Sequence, residues 1–132
     1  MPHPSNRAAF LAARGTGHPL LMAYSSLVVT ELALKDHSGN WHMRHDIPQL
    51  LGTLGDPGLV ALGAALRSKL AAIPCTAING LPATVPGNSY PSIRYARLVA
   101  DHAGGVTDAA IGDLILLVDD IITRLRAKGV SI

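Results

Sequence analysis

The sequence predicts an all-α fold, a single domain of 132 residues built as a bundle of four to five helices. Three observations carry that expectation. Apolar residues recur at helical spacing in three long stretches, near 18–37, 57–73 and 107–127, and nothing of similar length alternates as a strand does. Apolar side chains make up 48% of the chain and charged ones 15%, a balance that favours a packed globule over disorder at a length able to bury one core. Aromatic residues are only 4%, so the core has to come from Leu, Ala, Val and Ile, as helix-on-helix packing prefers, which leaves few platforms for stacked bases.

Ser5 can cap a short first helix through Arg14, and Gly15-Thr16-Gly17 ends it. Pro19 opens the second helix in its first turn, where a missing amide costs nothing. Leu20, Leu21, Tyr24, Leu27, Val28, Glu31, Leu32 and Lys35 follow at helical spacing until Ser38-Gly39-Asn40. Glu31 and Lys35 stand four apart in the favourable order, which reads as a solvated surface bridge worth a few tenths of a kcal/mol. Trp41 then pins the following linker to the core through its large ring. Asp46 and Pro48 mark the start of a helix to about Leu54, and Asp56-Pro57 repeats the signal. Leu59, Leu62, Ala65, Leu66, Leu70 and Ile73 form the stripe of the next helix, with Arg67 and Lys69 outward, and Pro74 stops it.

Residues 75–92, with Pro82, Pro86 and Pro91 beside Gly80 and Gly87, read as a long loop without periodicity, and essentially no sheet is expected. Ile93 to Leu98 fits a helical turn or an extended strip. Thr107-Asp108 caps the last helix, whose Arg124, Arg126 and Lys128 complement the helix dipole at its end. Leu116 and Leu117 widen its apolar arc beyond one core-facing stripe, which suggests a partner chain and a homodimer.

A net charge of +2 is too slight for a duplex-binding groove, so any nucleic-acid contact is local. The single cysteine, Cys75, has no internal disulfide partner, and MPHPSNRAAFLAARG lacks the pattern of an export signal; a cytoplasmic location is expected. Leu20 to Leu34 is broken by Tyr24, Ser25, Ser26, Thr30 and Glu31 and falls short of the roughly 18 clean residues a membrane span requires. No membrane contact is expected.

Most of the chemistry lies between Glu31 and Leu51, ELALKDHSGNWHMRHDIPQLL, where a helix end meets a helix start and His37, His42 and His45 crowd the linker. The spacing H-x4-H-x2-H matches no known zinc pattern and no cysteine is near, so no metal and no cofactor are assigned, and these histidines are expected to be structural or hydrogen-bonding.

Glu31 with Lys35, Arg44-His45-Asp46 ahead of an aliphatic residue, and Ile93-Arg94-Tyr95 together make the chain resemble HEPN domains, the small helical nucleotide-binding and ribonuclease modules, over about His18 to Lys128. The resemblance implies an all-α bundle that commonly dimerises and, in ribonuclease members, an R-x(4–6)-H motif at the dimer interface. Arg97 and His102 match that spacing. In the catalytic case His102 takes the proton of a ribose 2′-hydroxyl and Arg97 stabilises the growing phosphate charge, without a metal. In the other case Arg97 pairs with Asp101 at helical spacing and His102 caps a helix end.

Two functions are therefore expected from different classes. The first is a HEPN-like domain that binds a nucleotide or RNA, including toxin or defence ribonucleases, with Arg94, Arg97 and His102 as contact residues and Lys35, Arg44 and His45 lining or ordering the same pocket. The second is a non-catalytic dimeric module that holds a partner protein.

Overall fold

A computed structural model describes residues 18–41 and 44–132; the expected helix from Ser5 to Arg14 and the side chain of His42 lie outside the described residues. The architecture is mostly helical. In chain order it comprises α1 (Pro19–Ser38), α2 (Ile47–Gly52), α3 (Pro57–Ala71), a two-stranded hairpin of β1 (Pro74–Thr76) and β2 (Pro82–Thr84), a 3-10 helix (Tyr90–Tyr95) and α4 (Asp108–Ala127). No helix among the described residues is long and apolar enough to cross a membrane.

Helix α1 is the centre of the molecule. Every residue from Ser25 to Lys35 is buried, because α2, α4 and the 3-10 helix pack around it. The reason is visible in SSLVVTELALK, which holds no charged residue before Glu31 and presents no polar face; a helix apolar all round is an interior helix. Its end is set by Gly39, whose φ of 70° only glycine adopts without strain, and whose amide donates to the Lys35 carbonyl at 2.8 Å.

The other helix starts are fixed by side-chain caps. Asp46 accepts from the Gln49 amide at 3.0 Å, Asp56 from the Gly58 amide at 2.8 Å and Thr107 from the Ala110 amide at 3.1 Å. Leu59, Leu66 and Leu70 bring α3 onto the core, while Ile111, Leu114, Val118, Ile121, Ile122 and Leu125 do so for α4. Trp41 is half-buried and packs against the same core, as expected of it.

The expectation of no sheet needs correcting. β1 and β2 pair antiparallel, with Cys75 opposite Ala83, and the register is flanked by the Val85 amide donating to the Ile73 carbonyl at 2.9 Å. The prolines that argued against strands stand where a strand tolerates them: Pro74 and Pro82 are each the first residue of their strand. Beyond the 3-10 helix the chain returns to β1, where the Arg97 amide donates to the Pro74 carbonyl at 2.7 Å and Ala96 bridges Cys75. The segment is therefore extended at Ala96 to Leu98 and then turns.

The wide apolar arc of α4 is mostly used internally. Leu117 is buried and Ile115 packs against the core, whereas Leu116 stays 64% exposed.

One interhelical clamp closes the bundle. The cap of α3, Asp56, is buried and also takes the Arg124 guanidinium at 2.9 Å and 3.1 Å and the Lys128 ammonium at 3.4 Å, both from the end of α4. Gly58 makes the approach possible, since a Cβ there would lie 2.3 Å from the Arg124 guanidinium carbon. Arg124, the Gly58 amide and Lys128 hold the Asp56 carboxyl well below the usual carboxylate range, against the opposing effect of burial. A carboxyl whose folded pKa is depressed contributes stability that is full above its unfolded pKa, about 4, and is lost as pH falls toward the folded value. Asp56→Asn is thus expected to be less stable than wild type at pH 7 and to lose less stability between about pH 4 and pH 2. Urea melts across that range measure it; parallel losses in the two proteins contradict the assignment.

Candidate functional site

The stretch from Glu31 to Leu51 acquires its chemistry from burial. Glu31 extends from the middle of α1 into the core and is met there by three hydrogen donors. Lys35, one turn later on the same helix, places its ammonium 2.6 Å from Glu31 Oε2, with side-chain exposures of 0% for Lys35 and 2% for Glu31. His45, in the linker before α2, sets Nδ1 2.9 Å from Oε1. The Tyr90 hydroxyl, at the start of the 3-10 helix, donates to the same oxygen in a short contact.

The surface bridge expected for Glu31 and Lys35 is therefore corrected to an enclosed ion pair. Four apart on a helix they are neighbours whatever surrounds them, and the missing polar face of α1 is the signal that the surroundings are protein. Burial of an ion pair costs desolvation of both partners, and the further donors from His45 and Tyr90 offset it. An ionised carboxylate is acceptor-only, so in a hydrogen bond to an ionised Glu31 the Nδ1 of His45 is the donor. Burial pushes the Tyr90 hydroxyl far above its ordinary pKa, and the Glu31 charge adds to the effect, so Tyr90 remains a donor.

The cluster continues to the surface through aromatic contacts. His45 stands edge-on to Tyr90 with ring centroids 5.6 Å apart, and Tyr90 lies 6.1 Å from Tyr24 of α1. The Arg94 guanidinium then sits 5.6 Å from the Tyr24 ring centre and 5.4 Å from that of Tyr95. Nε of Arg94 donates to the Pro91 carbonyl at 3.2 Å, and the terminal nitrogens meet no acceptor among the described residues. Arg94 and Tyr95 line a cleft of about 480 Å³ with Thr76, Ile78, Pro91 and Ser92.

Of the residues singled out from the sequence, the fold thus links Lys35, His45 and Arg94 along one strip. Lys35 is enclosed and acts on Glu31, so it orders the strip and does not line the cleft. Arg44 is exposed beside His45. Residue 97 is half-buried at the edge of β1, and His102 is exposed in the turn that follows, its amide donating to the Leu98 carbonyl at 2.9 Å. Residues 97–102 are not a helix, so neither the pairing of Arg97 with Asp101 at helical spacing nor a helix-capping His102 applies. The His102 ring makes no hydrogen bond with the described residues.

Among the described residues no three His, Cys, Asp or Glu side chains converge as metal ligands do. Tyr24, read only as part of the α1 stripe, Tyr95, read only within Ile93-Arg94-Tyr95, and Tyr90 were not among the candidate site residues; the Tyr-x4-Tyr spacing around Arg94 was the available signal. Comparison of the chain with protein-family models, with curated proteins and with solved structures finds no match.

Removing Glu31 takes the paired carboxylate away from the buried Lys35 ammonium. Glu31→Ala is expected to cost about 3–5 kcal/mol, and Glu31→Leu combined with Lys35→Met to recover most of it. Urea denaturation of the single and double variants decides this, and a single-variant cost below about 1 kcal/mol returns the pair to the surface.

Proposed function

We propose that this chain is a HEPN-like helical domain that binds a nucleotide or single-stranded RNA, with Arg94 as the phosphate anchor and Tyr95 as the base platform. One observation carries the reading: a guanidinium packed against two tyrosine rings, with no carboxylate partner among the described residues, in the cleft it lines with Tyr95. A guanidinium suits phosphate because its planar fork donates two parallel hydrogen bonds. The Tyr95 ring, 55% exposed, offers a face on which any base can stack, and the Thr76 and Ser92 hydroxyls beside it can meet ribose or base edges. The low net charge fits a contact with one or two phosphates and no long groove.

A toxin or defence ribonuclease is the more specific form of this proposal, and Arg97 with His102 is the pair that the family resemblance nominates for it. A protein-interaction module is the second reading, supported by the exposed Ile78 and Leu81 around the hairpin turn and by Leu116 on α4. A homodimer through α4 is compatible with both.

Anisotropy titration of a labelled single-stranded RNA tests the first reading. Arg94→Ala should weaken binding roughly 10- to 100-fold, the value of a charge-assisted hydrogen bond, and Tyr95→Ala by a similar factor through lost stacking. Equal binding by wild type and both variants, or none by wild type, contradicts it and leaves the interaction module. For the dimer, light scattering at micromolar concentration should give two chains for wild type and one for Leu116→Glu; one chain for wild type removes it.

A further inference from the structure

Away from the Arg94 cleft, a second cleft of about 560 Å³ opens where three elements meet, and its walls are almost wholly polar. Asp46 and Gln49 reach it from the start of α2, Arg67 and Ala71 from α3, and Gly87 and Asn88 from the turn after β2. Each support is fixed. Ile47, Pro48, Leu50 and Leu51 bury the underside of α2, and Leu66 and Leu70 do the same for α3 on either side of Arg67. The turn is closed by the Ser89 amide donating to the Pro86 carbonyl at 3.2 Å, and buried Val85 and Tyr90 tie it down before and after. Gly87 lets the turn lie directly on α3, since a Cβ there would stand 2.5 Å from Arg67 Cγ and 2.9 Å from the Arg67 carbonyl oxygen.

The bonding capacity of this cleft is open. The Arg67 guanidinium and the side-chain amides of Gln49 and Asn88 make no hydrogen bond or ion pair with the described residues, and Asp46 uses only Oδ1, which accepts the Gln49 backbone amide. A cation and an anion therefore line one cleft without pairing with each other. Arg67 offers a planar fork of donors suited to a carboxylate, and Asp46 Oδ2 offers a charged acceptor suited to an ammonium. No aromatic ring lines the walls, so a base or a sugar has no face to stack on. The Asp46 charge repels a phosphate, and Ala71, the only apolar side chain of the lining, gives a hydrophobic ligand little to bury against.

We infer that this cleft binds a small zwitterion of the α-amino-acid class, with its carboxylate on Arg67, its ammonium on Asp46 and a short polar side chain met by the Gln49 and Asn88 amides. Its size falls within the range of small-molecule sites, roughly 300–1,000 Å³. The site shares no lining residue with the Arg94 cleft, so it stands or falls apart from RNA binding. A bound amino acid bridges α2, α3 and the turn, and thereby fills the gap between two charges that the fold leaves unpaired.

Two-dimensional NMR of the nitrogen-15-labelled chain, titrated with free L-serine, L-asparagine and L-glutamine at millimolar concentration, tests this site. At least one of the three should shift the amides of Gln49, Ala71 and Asn88 saturably. The N-acetyl and carboxamide derivatives of that amino acid should each bind roughly 10- to 100-fold more weakly, since each loses one charge-assisted hydrogen bond. Arg67→Met and Asp46→Asn should each weaken the parent amino acid by a similar factor. Asn still caps a helix, so the loss in Asp46→Asn reports the charge and not the fold of α2. Arg94→Ala should leave the titration unchanged. Saturation by none of the three, equal binding of the blocked derivatives, equal shifts from acetate or inorganic phosphate, binding that survives both charge substitutions, or binding lost in Arg94→Ala overturns the inference.

Discussion

A single buried carboxylate organises this molecule. Glu31 draws a lysine from its own helix, a histidine from the linker ahead of α2 and a tyrosine from the 3-10 helix onto one point inside the core. Two of these donors, His45 and Tyr90, come from segments outside the long helices. The linker is short of apolar residues, and the 3-10 helix contributes only Tyr90 and Ile93 to the fully buried set. In the low dielectric of the interior these bonds strengthen one another, and a partly satisfied set is worse than an apolar core. Position is therefore specified cooperatively: losing one donor loosens the hold on the other two.

The same point fixes the outer face. Tyr90 turns its hydroxyl to Glu31 and its ring edges to His45 and Tyr24, and Tyr24 in turn supports the Arg94 guanidinium. A side chain as flexible as arginine loses rotamer freedom when it binds, so bracing it beforehand between Tyr24 and Tyr95 lowers that cost. Arg94 is exposed and His45 half-buried, yet both pack against rings of the Tyr24–Tyr90 pair.

Much of this was legible in the sequence. The three long helices follow from apolar spacing, and the starts of α2, α3 and α4 follow from Asp46, Asp56 and Thr107, whose short side chains cap by local geometry. Local rules failed where contacts are distant in sequence. Nothing near Cys75 announces the hairpin, because its pairing depends on Pro74 and Pro82 falling at strand starts and on Ala96 returning to β1. Lys35 and Glu31 were visible as a pair, but their burial is decided by α2, α4 and the 3-10 helix closing around α1. His45 and Arg94 were picked out as site residues, whereas Tyr90, 59 positions from Glu31, joins them only through the fold.

The most direct test of the Glu31 cluster is the tautomer of His45, read from the nitrogen-15 spectrum of the imidazole at a pH where the ring is neutral. A ring held on an ionised Glu31 shows a protonated Nδ1 and an unprotonated, pyridine-like Nε2. An Nε2-protonated ring, or shifts averaged as in free histidine, contradicts the account, because either means that His45 is not held as a donor on the buried carboxylate.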